Sequence, residues 1–309
     1  MLQFIKIIKR ATLPKPPSPQ RGSSLSSITH YLLPITHYIL PITHYLLPII
    51  YCLLLIASPP SVSAQNWKLY KKNDALDCRF FVSDNLHNVY IITSKSEILK
   101  YGEDGSFEAR YANLKLGKLG QLDAMNPFKL LVYYPDFQTV QLLDRELNSL
   151  GSFNLLDLGI VRVGAVAMAD DGKIWIYDAG TNKLMTLTGN TRAQQAQSSV
   201  VPFIGSNPTQ MIFRNNALYV NIPDKGIYIF DRFGKFIKTL NIKNINYFQV
   251  VDNQLFYNQT GKMYSFQLQT LKTTPMALPE GIKGTEPLRL EKNWLFVQQG
   301  KTIFVHEDK

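Results

Sequence analysis

Outside an N-terminal repeat, this sequence has two imidazoles, His87 and His306, and neither has a second His, Cys or Glu at metal-ligand spacing. It has no Gly-x-Ser-x-Gly elbow and no phosphate-binding glycine loop. Asp170-Asp171-Gly172 offers two carboxylates. Calcium needs six or more oxygens at set positions, and the following Lys173-Ile174-Trp175 supplies none, so the segment reads as a hairpin turn. Asn258-Gln259-Thr260 is formally a glycosylation sequon. Any chemistry must therefore come from side chains that the fold gathers from distant segments. The candidates are Arg79, Gln121, Thr209, Tyr247 and Glu286.

The elements that would position them recur. A short β-like core appears at Val89-Tyr90-Ile91, Leu131-Val132-Tyr133, Ile174-Trp175-Ile176, Leu218-Tyr219-Val220, Leu255-Phe256-Tyr257 and Leu295-Phe296-Val297, at spacings of 42, 43, 44, 37 and 40 residues. A period near forty built from strands predicts a β-propeller with four strands per blade, here with six blades. In the first unit, the inner strand is expected at 79–83, the next strands at 88–93 and 97–101, and the outer strand at 106–111. The fourth unit repeats this at 209–213, 217–221, 226–230 and 235–240. Gly102-Glu-Asp-Gly105, Asp144-Arg-Glu-Leu147 and Asp231-Arg-Phe-Gly234 provide turn chemistry before the outer strands. The last unit runs out of sequence after three strands. Asn66-Trp67-Lys68-Leu69-Tyr70 is a strand without a partner, and pairing the two would complete the last blade and remove an open sheet edge.

Aligning the inner strands by their C-terminal ends puts Arg79, Gln121, Ala165, Thr209, Tyr247 and Glu286 at the channel mouth. Phe81, Asp123, Ala167, Met211, Gln249 and Leu288 lie two residues further in. A mouth with Arg79, Gln121 and Tyr247 suits a polar or peptide ligand, since Arg and Tyr often anchor interfaces. Arg79 and Glu286, on blades that meet at the closure, could instead pair with each other. The long connections 113–120, with Lys115 and Lys118, and 278–285, with Glu280 and Lys283, add exposed loop surface.

The stretch Phe230-Asp231-Arg-Phe-Gly234-Lys-Phe236 and its echo Tyr101-Gly-Glu-Asp-Gly105-Ser-Phe107 resemble NHL-type and related six-bladed propellers, over roughly residues 65–309. Units three and five lack the Asp-x-x-Gly turn. The resemblance implies an exported envelope protein of Bacteroidetes-like bacteria. Six-bladed lactonases and related hydrolases also resemble this fold and use a central metal held by Glu, Asn and Asp side chains, which would implicate Asp123 and Glu286.

The first 64 residues contain no Asp or Glu and five basic residues. They hold the heptapeptide repeat Ile28–Pro34, Ile35–Pro41, Ile42–Pro48, whose proline at every seventh position excludes a coiled coil. A seven-nucleotide unit, CCCATTA, translated in triplicate reads Pro-Ile-Thr-His-Tyr-Pro-Leu, close to this pattern, so residues 1–48 read as translated upstream repeat DNA. Ile49–Ala57 is an apolar run too short to span a bilayer. With the small residues of Val62-Ser63-Ala64 it reads as a signal peptide, cleaved after Ala64, covering 49–64. An uncleaved anchor or a lipoprotein cysteine at Cys52 are the alternatives, the latter opposed by the bulky Tyr51. After Ala64 the charge falls from +10 to 28 basic against 23 acidic residues, which makes no case for nucleic acid. One cysteine, Cys78, remains, so no intrachain disulfide forms.

The reading is an exported, non-catalytic binding or scaffold propeller at 65–309, in the periplasm or on the outer surface of a Gram-negative bacterium. It needs no cofactor, metal, nucleic acid or membrane span, and its partner is a protein, a peptide or a small polar ligand. A metal-dependent lactonase-like hydrolase and a structural subunit of an envelope complex are the alternatives.

Overall fold

The computed structural model describes residues 66–74, 77–188, 192–195, 207–245 and 247–308, all within the unit Val62–Lys309. The leader and repeat expectations fall on residues 1–64, outside the described residues. Among the latter there are 24 strands in six four-stranded antiparallel sheets. The protein is an all-β six-bladed propeller.

Strand β1 (Trp67–Asn73) precedes the first blade, which is β2 (Phe80–Ser83), β3 (Val89–Ile92), β4 (Glu97–Tyr101) and β5 (Phe107–Ala112). The second is β6 (Gln121–Asp123), β7 (Leu130–Tyr134), β8 (Thr139–Leu143) and β9 (Ser149–Asn154). The third is β10 (Val163–Met168), β11 (Ile174–Asp178), β12 (Lys183–Thr188) and β13 (Arg192–Gln195). The fourth is β14 (Gln210–Arg214), β15 (Ala217–Ile222), β16 (Gly226–Asp231) and β17 (Phe236–Leu240). The fifth is β18 (Phe248–Val251), β19 (Gln254–Gln259), β20 (Lys262–Gln267) and β21 (Thr273–Pro275). The sixth sheet has the order β1, β24 (Thr302–Asp308), β23 (Trp294–Gln299), β22 (Leu288–Glu291). In it Trp67 lies opposite Asp308 and Asn73 opposite Ile303, with a register shift between Leu69 and Lys71.

Burial explains why these segments became these strands. Each second strand is sandwiched between neighbouring blades, so β3, β7 and β11 are buried along their whole length and read as unbroken apolar runs. These are the strands that make up the six-fold echo. The outer strands β5 and β9 alternate between half-buried and exposed, as a sheet with one wet face does. The turns before them follow one plan. Asp144 Oδ1 accepts from the amides of Glu146 and Asn148, and Asp231 Oδ1 from those of Phe233 and Lys235. Leu147 stands at φ 65° in a position that elsewhere holds glycine, and it is held there by burial in the core between blades one and two.

Gly226 opens β16 at φ 124°, and a Cβ built there would overlap the carbonyl oxygen of Leu240 on the adjacent outer strand. Gly281 has φ 80° but open space around it. Gly226→Ala is therefore expected to lower stability by more than about 2 kcal/mol, because backbone must move. Gly281→Ala should lose only the left-handed penalty of about 1 kcal/mol. Equal shifts in the thermal midpoint of the two variants would contradict this.

Candidate binding channel

The six inner strands surround the propeller axis. Their second neighbours take up one backbone edge, and the other edge faces the channel. Side chains bridge this edge from blade to blade. Gln210 Oε1 accepts from the Phe248 amide at 2.9 Å while its Nε2 donates to the Phe248 carbonyl at 3.1 Å. Gln249 treats Leu290 in the same way, at 2.9 and 3.4 Å. Each glutamine amide thus substitutes for a peptide unit between two inner strands. Between blades two and three, Gln121 donates to the Val166 carbonyl at 2.8 Å and Asp123 accepts from the Met168 amide at 3.0 Å. Arg79 donates to the Leu119 carbonyl between blades one and two. At the junction of blades six and one, the Ser83 hydroxyl donates to Glu291 at 3.1 Å, and Gln298 donates to the Cys78 carbonyl at 3.0 Å.

Inside this belt is a cavity of about 350 Å³. Inner strands β2, β6, β14, β18 and β22 contribute to its wall, together with Thr209 and Tyr247 just before β14 and β18. The wall is mixed. Val82, Leu122, Met125, Ile212 and Val250 are apolar, while Asp123, Arg214, Arg289 and Glu291 carry charge.

The Arg289 guanidinium lies on the Tyr247 ring at 3.8 Å from its centroid, with Phe81 at 5.6 Å. Burial lowers its proton affinity, and Tyr247 and Glu291 oppose the shift. Arginine still stays charged. Burial pushes the Tyr247 phenol up to about 12, the nearby Arg289 moderating the effect. Glu291 is 7% exposed. Burial pushes its carboxyl up to about 7, against the Ser83 hydrogen bond and the attraction of Arg214. Asp123 is also raised, because burial outweighs the hydrogen bonds from the Met168 and Met125 amides.

Three of the residues expected at the mouth lie on this wall: Gln121, Thr209 and Tyr247. Gln121 is committed to the seam, and Thr209 Oγ1 accepts from Asn221 at 2.8 Å. Arg79 and Glu286 lie off the wall and do not pair with each other. Arg79 is spent on Leu119, and Glu286 accepts from the Lys283 amide at 3.0 Å and from Gln299 at 2.7 Å within its own blade. The expected alignment of inner strands holds for blades two and five and slips by one residue in blades one, four and six. Phe81, Met211 and Leu288 are buried between blades, while Phe80, Val82, Gln210, Ile212, Arg214, Arg289 and Glu291 line the cavity. In a strand, a slip of one exchanges the two faces.

The sequence reading therefore missed Arg214, Arg289 and Glu291. The alternation Leu288-Arg289-Leu290-Glu291 carried the signal: two charges on the face opposite two core leucines. The histidines stay apart from the channel. His87 stacks on Trp294 at 4.7 Å and bonds Glu103, and His306 is buried in β24. Asp171 holds Lys173 at 2.7 Å in a plain turn. No group of three or more His, Cys, Asp or Glu positioned for a metal occurs among the described residues. Cys78 is half-buried, and burial pushes its thiol up to about 11.

No protein-family model matches this chain, and neither does any curated protein sequence. Solved structures do. A catalytically inactive His-to-Ala variant of virginiamycin B lyase from Staphylococcus aureus, with quinupristin, superposes at TM-score 0.55 and 12% identity, covering 78% of this chain and 99% of that one. A streptogramin B lyase gives 0.52 and 13%, covering 79% and 88%. The Pan2 WD40 domain of Neurospora crassa gives 0.56 and 10%, covering 81% and 98%. Such identities establish a shared β-propeller fold and nothing about activity.

The raised carboxyl of Glu291 makes stability depend on pH. Its folded value of about 7 exceeds the ordinary 4.5, so the folded state binds the proton more tightly. Stability is full below about pH 4.5 and falls as pH rises toward 7, by roughly 3 kcal/mol at about 1.4 kcal/mol per tenfold of proton affinity. Arg214, Arg289, Asp84 and the Ser83 hydroxyl surround the carboxyl and are unchanged in the variant. Glu291→Gln should match the native protein at pH 4.5 and melt several degrees higher at pH 8. A difference in melting temperature that stays constant with pH would refute the assignment.

Proposed function

We propose that this propeller is a non-catalytic binding module whose ligand occupies the central channel. The observation that carries the reading is the 350 Å³ cavity, walled by five inner strands in a mixture of apolar and charged side chains. Concave sites that combine apolar side chains with a few convergent polar groups are where small ligands bind. Catalysis has less support. The metal-hydrolase reading needed Asp123 and Glu286 to converge, but both Asp123 oxygens accept backbone amides and Glu286 is off the wall. The similar lyase whose His-to-Ala variant is inactive does not lend its chemistry either, because no histidine is among the residues lining this channel.

Export to a bacterial envelope rests on the apolar run Ile49–Ala57 followed by Val62-Ser63-Ala64. On the same reading, Trp67–Asn73 is the latch that closes the ring after the leader is removed. Supporting contacts are the Trp67 indole donating to the Ala277 carbonyl at 2.9 Å, the Asn66 amide donating to Asp308 at 2.9 Å, and Tyr70 set edge-on to Trp294 at 4.7 Å.

Two experiments test these readings. Protein incubated with envelope extract, repurified and denatured should release a small molecule visible by mass spectrometry. Met125→Trp, which fills the channel from its wall, should release none while melting normally. Equal release from both proteins, or release from neither, overturns channel binding. Deleting residues 66–73 should lower the melting temperature of the entire domain in one transition. Unchanged melting would remove the latch.

A further inference from the structure

The channel holds two guanidinium groups most of whose hydrogen-bonding capacity is not used among the described residues. Arg289 Nε is buried without a hydrogen-bond partner among the described residues. Its Nη1 donates only to the carbonyl of its own neighbour Leu288, at 3.0 Å. The rings of Tyr247 and Phe81 lie against the guanidinium. Contact with a ring face stabilises the charge but accepts none of the in-plane N–H bonds. An unsatisfied buried donor costs about 1–3 kcal/mol, so this arrangement is unfavourable to the protein by itself. Arg214 projects into the same cavity, and neither arginine forms an ion pair among the described residues.

The neighbouring carboxyls do not serve them. Asp123 Oδ1 and Oδ2 are taken by the Met125 and Met168 amides. Glu291 Oε1 takes the Ser83 hydroxyl, and with its carboxyl pushed up to about 7, much of it is neutral near neutral pH. Two guanidinium groups thus face the cavity with no carboxyl paired to either among the described residues, and that of Arg289 is fixed by stacking on Tyr247.

We propose that the channel ligand is an amphiphilic monocarboxylate, its carboxylate bound by Arg289 with Arg214 as the second cation and its apolar body lying against Val82, Leu122, Ile212 and Val250. This rests on the channel-binding reading above. A guanidinium fork matches a planar carboxylate through two parallel N–H bonds. A single negative charge costs less to desolvate than a phosphate dianion, and the apolar half of the wall needs an apolar partner. A cationic ligand of the same shape offers the fork no acceptor, and an amide offers one uncharged oxygen in place of two sharing a negative charge.

Isothermal titration of the protein beginning at residue 65 with octanoate and benzoate tests this, with octanamide, benzamide, benzylamine and inorganic phosphate as comparison probes. The carboxylates are expected to bind at least tenfold more tightly than the amides, the amine or phosphate. Arg289→Gln and Arg289→Lys should each weaken carboxylate binding tenfold or more, since an ammonium has no fork. If the Arg289 variants do not fold, Arg214→Gln, which loses no protein hydrogen bond, should weaken the carboxylates and leave the amides unchanged. Amides or phosphate binding as tightly as carboxylates, or carboxylate binding indifferent to every arginine variant, overturns the proposal. Should those probes be blocked by Met125→Trp, the channel-binding reading survives that failure. No probe of any charge binding, with no small molecule released from extract-treated protein, overturns both.

Discussion

Each blade of this ring must do something with the backbone edge of its inner strand. That edge faces the axis and has no further strand to pair with, and an unpaired buried peptide group is expensive. The protein meets the constraint with side chains that imitate a strand. Gln210 and Gln249 each present one donor and one acceptor to a single residue of the next blade, Phe248 and Leu290. Gln121 and Asp123 divide the same task between them toward Val166 and Met168. The blades are thereby joined near the axis by polar bonds as well as by the apolar contact between their faces.

The seams are not equivalent, and the differences set where a ligand can go. Blade three packs the small Ala165 and Ala167 against blade four, and among the described residues it provides no bridging amide and no residue to the cavity wall. Its small side chains let β10 pack closely on Met211 and Phe213 of β14. Blades four, five and six carry longer side chains and leave the cavity between them and blades one and two. At the seam between blades six and one a carboxyl–hydroxyl bridge, Glu291 with Ser83, stands beside the amide bridge from Gln298 to Cys78.

Much of the architecture was legible because burial acts on whole strands. The second strands are covered on both faces, so their apolar runs survive divergence of everything around them, and Val89-Tyr90-Ile91 still resembles Leu295-Phe296-Val297. The aspartate turns were legible for a local reason, since Asp144 and Asp231 each bond amides two and four residues on. The channel was only partly legible, because its lining depends on register. Gln121 and Tyr247 fell on the correct face, whereas one residue of slip put Leu288 where Arg289 stands. The places of Arg79 and Glu286 in the repeat put them at the mouth, with a mutual pair as the alternative, and neither holds. Their partners are backbone groups and a glutamine that no periodicity marks.

The energetics of the charged cluster have a sign that bears on its purpose. Glu291 and Arg289 lie two residues apart on β22, both desolvated, and burial shifts each against its charged form. A buried pair that serves stability has short ion-pair geometry and fully satisfied hydrogen bonds, and even then well-packed apolar residues often match it. Here Arg289 Nε has no partner and the two groups form no ion pair among the described residues. Apolar residues at 289 and 291 would continue the pattern of Leu288 and Leu290 and fill the space at lower free energy. Groups held at a cost to the fold, in a concave channel, with the Arg289 donors fixed by stacking on Tyr247, have the arrangement expected of a preorganised binding site. That cost to stability is the physical argument for the proposed site at the axis of the propeller over its exposed loops.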